Sequence, residues 1–577
     1  MSDKTFYVTT PIYYWNWVPH IGHTYSSIIA NVIYKYNKIS GKKSRFTTWI
    51  DENSQKAVLK AQEAWMEIMD YLDDMAKKHK AVWDFFNIDY TDFIRTTEKR
   101  HHTLVREVLQ KCFDRWDIYD GIYEWMYCIW CESFKKEEDL VYLNKETKAT
   151  FPISDKVKVS DNIIKVCPDH LTEPQHSKEK NYFFRLKKYQ TWIEGFYEAN
   201  PDFVKPDFRY NEVKAFVKRW LEDFSISRET NTFWIPLPFD DKQVTYVWFD
   251  ALFNYYTSCK YSRWWDKTNE EFSDESKEFW LENLNKVHIV WKDIIRFHAI
   301  FWPCMLASYF WLWEEKDWVI HYKESDRKCL PTTILTWWYF TVDGQKMSKS
   351  LWNVIEPVEY ATKYWKELLT LYMLSAFPIW LDGDYDRNQA ILTYNAKLAN
   401  NLWNLVNRVV VLSLKLEKFN WILELKYPEY QLWIDSIKMT DLNFIDWLRI
   451  QTWFREFLWE EYEKFILDYN LKWCLDISFL ILDKINKFVD INEPWKTIKE
   501  DEIQTKEVLY TIAEWLRQVW LALYPFFPEK MSEMFKKLWL ENYTERLEAG
   551  ELEKLISETP TFEIKEKWEN LFNRFEI

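Results

Sequence analysis

Apolar and polar positions alternate between two regimes along the chain. The first begins with Phe6-Tyr7-Val8-Thr9-Thr10, a short apolar run that predicts a buried strand. A polar turn containing Pro follows, and the pattern from Thr24 to Tyr34 then predicts a helix. Tyr339-Phe340-Thr341-Val342 reads as another strand, and Leu140-Val141-Tyr142 with Val157-Lys158-Val159 reads as a hairpin. From about residue 385 the period changes to long repeats near 3.6, as in Ile391 to Leu416 and Phe444 to Phe465, which predict a helical bundle. The segment from Ser532 onward is charged and helical in pattern. A strand, a turn and a helix thus open the chain, and helices alone are predicted in its carboxyl half.

Composition changes this picture at one point. The 577 residues hold 7 glycines and 37 tryptophans, where ordinary usage gives about 40 glycines. Several Trp stand where a small residue makes physical sense. Trp49 is read in a polar turn, Thr48-Trp49-Ile50-Asp51-Glu52, Trp337 and Trp338 precede a strand, and Trp352 follows Lys349-Ser350-Leu351. Turns with positive φ, and backbone pressed against a ligand, accept glycine and reject an indole. Most of these Trp are therefore expected to be UGA codons that the source organism reads as glycine. Trp83, Trp248, Trp302 and Trp495 are expected to be authentic.

Net charge is −14, which argues against a protein coated in nucleic acid and leaves room for a local basic groove. No apolar run of about 18 residues occurs, so no membrane span is expected. The start, Met1-Ser2-Asp3-Lys4, lacks a secretion pattern, and the eight cysteines are expected to be reduced. A cytoplasmic protein is the expectation.

Two motifs carry chemistry. His20-Ile21-Gly22-His23 opens the first helix after a strand and a turn. A helix N-terminus there binds anions, and two imidazoles beside a glycine can donate to phosphate oxygens. Far downstream, Lys346-Met347-Ser348-Lys349-Ser350 follows the turn Asp343-Gly344-Gln345 and offers cations and hydroxyls to a polyphosphate. Either motif alone is as readily a solvated surface loop; the pair in this order is far more specific.

With both motifs in place the chain resembles the class I aminoacyl-tRNA synthetases, and among them the methionyl family. The resemblance extends through Thr9-Thr10-Pro11-Ile12-Tyr13-Tyr14, Tyr246-Val247-Trp248-Phe249-Asp250-Ala251 and Lys292-Asp293-Ile294-Ile295-Arg296-Phe297-His298, over roughly residues 5 to 500. It implies an α/β, Rossmann-type parallel-sheet catalytic domain, an inserted zinc-knuckle domain and an all-α anticodon-binding bundle. The implied boundaries are 1–120 and 226–335 for the two catalytic halves and 121–225 for the insertion. They continue with 336–385 for a stem-contact region, 386–535 for the bundle and 536–577 for a tail. Glycines are expected in that family at Trp49, Trp291, Trp352 and Trp403, which supports the recoding reading independently.

The resemblance also implies the site. His20 and His23 with Lys346 and Lys349 would be catalytic, and Gly22, Asp293 and Ser348 would join them around ATP, with Asp293 on the ribose. Asp51 would hold the methionine ammonium. Ile12, Tyr14, Trp248, Ala251, Tyr255, Ile294, Phe297 and His298 would line the pocket, with Leu252 at a position that varies within the family. Each apolar member could equally be core. Methionine, ATP with Mg²⁺, and tRNA(Met) are the implied substrates and partners. No β-barrel tRNA-binding module is evident at the carboxyl end, so a monomer is expected.

Cys128-x2-Cys131 and Cys167-x2-His170 form two pairs, each able to place two ligands on one tetrahedral ion, which suits one structural Zn²⁺. Trp125 and Trp130 beside them are again expected to be glycine. The remaining cysteines read as core. In the bundle, Asn404 and Arg408 stand at i, i+4, and by resemblance read the anticodon with Trp495 as a stacking platform. Three rival readings stay open: a synthetase for an aliphatic amino acid, a small adenylyltransferase, and an inactive tRNA-binding relic if the Trp at glycine sites are real.

Overall fold

The computed structural model describes residues 4–576 except 16–17, 54, 129–132, 136–138, 154–161, 169–170, 230–232, 263–272, 338–339, 343–344, 347–354, 382, 418–446, 539, 563 and 565–567. Its centre is a seven-stranded sheet. β1 (Thr5–Thr9) runs through the middle. On one side it pairs in parallel with β2 (Lys43–Asp51), which pairs in parallel with β3 (Asp92–Arg95) and with Tyr13–Tyr14. On the other side it pairs with β4 (Lys286–Trp291), which leads to β5 (Thr333–Trp337) and then Val204–Lys205. Every pairing in this sheet is parallel, so the C-terminal ends of β1, β2, β4 and β5 face one crevice at the point where strand order reverses.

The first helix, α1 (Ile21–Ile39), is longer than the pattern predicted, because Tyr25, Ile28, Ile29, Val32 and Ile33 keep an apolar stripe against the sheet. Trp49 is not in a turn; it lies inside β2 and is fully buried. A long antiparallel ribbon, Ile118–Cys128 against Gln175–Phe184, carries the insertion away from the sheet. The first hairpin arm is present as Val141–Asn144, paired with Thr150–Pro152 and with Ile163–Val166; the other arm expected at Val157–Val159 lies outside the described residues.

The carboxyl half is helical as the period implied. Residues 387–417 form one continuous rod, followed by Trp447–Leu467, Leu471–Asn492 and Glu502–Leu523. The tail is not a free charged helix. It ends in two short helices, Tyr543–Glu548 and Leu552–Ser557, and then packs back. Phe575 exchanges two hydrogen bonds with the Asn395 side chain, Trp568 and Phe572 are buried, and Lys38 at the end of α1 pairs with Glu548 at 2.6 Å.

The backbone sorts the tryptophans. Eleven described non-glycine residues have positive φ, and five of them are Trp65, Trp116, Trp311, Trp318 and Trp365. A left-handed L-residue costs about 1–2 kcal/mol. Trp65, Trp116 and Trp318, 96%, 79% and 94% exposed, recover little of that cost, whereas Trp311 stacks on Trp313 and Trp365 packs against Phe575. Trp311 caps the helix Trp302–Phe310 in the left-handed region, the place where glycine normally ends a helix.

Candidate active site

The crevice is built from four strand ends. β1 delivers Thr9 and Thr10, which bond His288 and Thr48 at 2.9 Å each and so tie β1 to β4 and β2. The chain then reaches His20, the N-cap of α1, in extended conformation. The Gly22 N–H donates to His20 Nδ1 at 3.0 Å, and the His20 N–H donates to His23 Nδ1 at 3.3 Å. Both Nδ1 atoms therefore accept, and each neutral ring carries its proton on Nε2. Burial, reinforced by His20 and His79, holds His23 well below the usual imidazole pKa. Gly22 leaves room for the His20 ring: a Cβ there would lie 2.9 Å from His20 Cε1, so the ring would have to shift.

Indoles crowd this crevice. Trp291 at the end of β4 sits edge-on to His23, with ring centroids 5.5 Å apart, and contacts Trp337 at the end of β5 at 6.3 Å. Trp337 approaches within 4.0 Å of where a Cβ on Gly22 would be. Trp49 in β2 lies edge-on to Tyr255 at 5.4 Å. The indole N–H groups of Trp49 and Trp291 are buried with no hydrogen-bond partner among the described residues. An orphaned buried donor costs about 1–3 kcal/mol. Trp302, expected to be authentic, donates its N–H to His288 at 3.4 Å; Trp403, expected to be glycine, also finds a partner in Asn570 at 2.8 Å, and Trp83, expected to be authentic, finds none among the described residues.

Beside the crevice the sequence-assigned pocket residues come together. Trp248 stacks on Phe297 with centroids 3.8 Å apart and planes 2° from parallel. The Tyr255 hydroxyl bonds His298 Nε2 at 2.8 Å, and His298 Nδ1 lies 2.9 Å from the Ile294 carbonyl. A carbonyl only accepts, so the proton of His298 is on Nδ1 and Tyr255 donates to Nε2. Burial pushes His298 down to about 4. Ile12, Ala251 and Ile294 are buried, Tyr14 is half-buried, and Asp51 is fully buried at the end of β2. Asp293 is exposed in the turn after β4. Lys346 lies in the short strand Gln345–Lys346, paired with Thr341; Ser348 and Lys349 lie outside the described residues.

The chain as a whole is matched in known proteins. A family model for tRNA synthetases class I (M) matches residues 6–410. The chain belongs to this family. It is 34% identical to the methionine--tRNA ligase of Nostoc over 541 residues, covering 93% of this chain and 90% of the relative. It is 33% identical to that of Fusobacterium nucleatum over 542 residues, covering 93% and 75%. Among solved structures, Mycobacterium tuberculosis methionyl-tRNA synthetase in complex with methionyl-adenylate superposes with a TM-score of 0.82 at 26% identity, over 99% of this chain and all of the other.

Two further groups of sequence-assigned residues lie away from the crevice and are described in part. Cys128 ends the long ribbon and Cys167 begins the opposite loop, both buried. Cys128 Sγ lies 3.9 Å from the Thr172 hydroxyl, and the Cys167 N–H donates to the Thr172 carbonyl at 2.9 Å, so one residue joins the two loops. Cys131 and His170 lie outside the described residues. In the bundle, Asn404 and Arg408 are exposed on one face of the rod, and Arg408 pairs with Asp490 at 3.3 Å. Trp495, 40% exposed, lies two residues after Glu493, where the helix that carries Asp490 ends.

Sequence reasoning missed the residues that support the site. His288 lies between Thr9 and Trp302 and stacks on Tyr255 at 4.1 Å. Asn53 and Thr96 bond Asp51, and Asp250 holds the Asn53 side chain. Asp250 stands inside a quoted motif, and that proximity was the available signal; His288 and Thr96 carried none.

Proposed function

We propose that this chain activates methionine with ATP and transfers it to the terminal adenosine of tRNA(Met). The observation that carries the reading is the junction of a histidine-capped helix N-terminus with a buried Asp51 and an aromatic pocket, all at one strand-order reversal. The methionine carboxylate attacks the α-phosphate of ATP, giving methionyl-adenylate and pyrophosphate, and the acyl group then passes to the tRNA hydroxyl. No protein nucleophile is required. His20 and His23, with Nε2 protons, donate to the phosphates near the α-to-β bridge; Lys346 and Lys349 neutralise charge building on pyrophosphate. Mg²⁺ enters with ATP. Trp248, Phe297 and Tyr255 supply a polarizable wall for the thioether. Cys128, Cys131, Cys167 and His170 would hold one structural Zn²⁺, and the buried thiols of the first and third suit it. Asn404, Arg408 and Trp495 would read the anticodon. The protein acts in the cytoplasm as a monomer.

Pyrophosphate exchange run across the amino acids tests this: methionine alone supports exchange, and Lys349→Ala lowers its rate by about 10²-fold or more with a far smaller change in methionine affinity. Unchanged exchange in that variant, or exchange driven equally by valine, contradicts the reading.

We further propose that the indoles at strand ends and left-handed positions are glycine in the native protein. Support comes from two unrelated sources: five Trp at positive φ, and the orphaned Trp49 and Trp291 indoles where a nucleotide and methionine must enter. Peptide mass spectrometry of the native protein decides. Glycine is expected at 49, 65, 116, 291, 311, 318, 337, 352 and 365. Tryptophan at 49 and 291 favours the inactive tRNA-binding relic instead.

A further inference from the structure

We infer that Asp250 is a positioning residue for the ammonium-binding carboxylate of Asp51, acting through Asn53. This rests on the methionine reading above and adds a residue to which that reading gives no role.

Asp51 ends β2, and the next two residues fold back over its carboxylate. The Asn53 N–H lies 3.3 Å from Asp51 Oδ1, and the Thr96 hydroxyl lies 3.4 Å from the same oxygen. Thr96 Oγ1 in turn receives the N–H groups of Glu52 at 2.8 Å and Asn53 at 3.3 Å. Thus one hydroxyl and one backbone amide aim the carboxylate, and both depend on where Asn53 lies.

Asn53 is itself held from the far side of the pocket. Its side-chain Nδ2 donates to Asp250 Oδ2 at 2.9 Å, and the Thr245 hydroxyl donates to the same oxygen at 3.2 Å. Asp250 closes the helical turn Val247–Asp250, which also presents Trp248 to the pocket, and precedes Ala251. Asp51, Asn53, Thr96, Thr245 and Asp250 are all buried. The other oxygen of Asp250, Oδ1, is buried with no hydrogen-bond partner among the described residues.

A carboxylate half satisfied in a dry pocket is costly unless a cation or a proton answers it. Burial pushes the Asp250 carboxyl up to about 7. Asp250 reaches Asp51 through Asn53, and a carboxylate oxygen accepts the Asn53 N–H more strongly than an amide oxygen would. The same turn that builds the thioether wall therefore fixes the ammonium end, which couples the two ends of methionine recognition.

The test measures binding of three ligands by calorimetry, using the full-length protein with the residues its source organism inserts. Methionine and methioninol carry the ammonium; (methylthio)butanoate keeps the thioether chain and lacks it. Asp250→Asn is nearly isosteric and guards against misfolding; Asp250→Ala and Asn53→Ala remove the contact. Each variant is expected to weaken methionine and methioninol by roughly 10-fold or more. Binding of the analogue without the amino group is expected to stay within about 2-fold. In exchange assays most of the loss falls on KM rather than kcat. The Asn53→Ala and Asp250→Ala losses overlap in the double variant instead of adding. Equal weakening of all three ligands, or additive losses, overturns the inference while leaving the methionine reading intact. Failure of the unsubstituted protein to bind methionine removes both.

Discussion

At the scale of single residues, the site works by fixing protons on particular nitrogens. His20 and His23 spend Nδ1 on backbone amides, and His298 spends Nδ1 on a carbonyl, so each ring has one assigned face. His298 titrates near 4 in the fold because burial disfavours its charge, against about 6.5 for an unfolded imidazole. Between those values the unfolded chain binds more protons than the folded one, so this residue adds stability that is fully present above about 6.5 and is lost as pH falls toward 4. His298→Asn is expected to flatten the dependence of unfolding free energy on pH in that window, measured by urea denaturation at several pH values. An unchanged slope means that His298 is not buried neutral. The histidine and lysine motifs were legible because their chemistry is written in residue type. The tautomers were not, since they depend on backbone amides that only the folded loop brings near.

At the scale of elements, the hydrophobic period located β1, α1 and the rod at 387–417 but misplaced Trp49. A bulky letter in a polar stretch reads as a turn, whereas the backbone at that position continues β2 to Asp51. Left-handed caps leave no periodic trace, so Trp65, Trp116, Trp311, Trp318 and Trp365 emerged only from φ. In protein made with Trp at these positions, Trp311→Gly is expected to raise unfolding free energy by about 1 kcal/mol, by removing left-handed strain at a helix end. Trp302→Gly is expected to lower it by about 3–5 kcal/mol, because that indole is fully buried and its N–H bonds His288. Denaturant titration of the two variants side by side checks the contrast. Losses of similar size at both sites mean that Trp311 packs as an authentic residue.

For the whole molecule, chain order conceals what the sheet assembles. Asp51, Trp291 and Trp337 are far apart in sequence and end three strands of one sheet because parallel pairing points β2, β4 and β5 the same way. The tail was legible as charged and helical, yet its docking was not, because Phe575, Trp568 and Glu548 find partners only across the fold at Asn395, the bundle core and Lys38. The central claim is that backbone without side chains at the strand ends opens one crevice to ATP and methionine together. Two versions of the protein measured side by side test it most directly, one with glycine and one with tryptophan at 49, 291 and 337. Methionine-dependent pyrophosphate exchange is expected from the glycine version and not from the tryptophan version. Equal exchange from both would contradict the account.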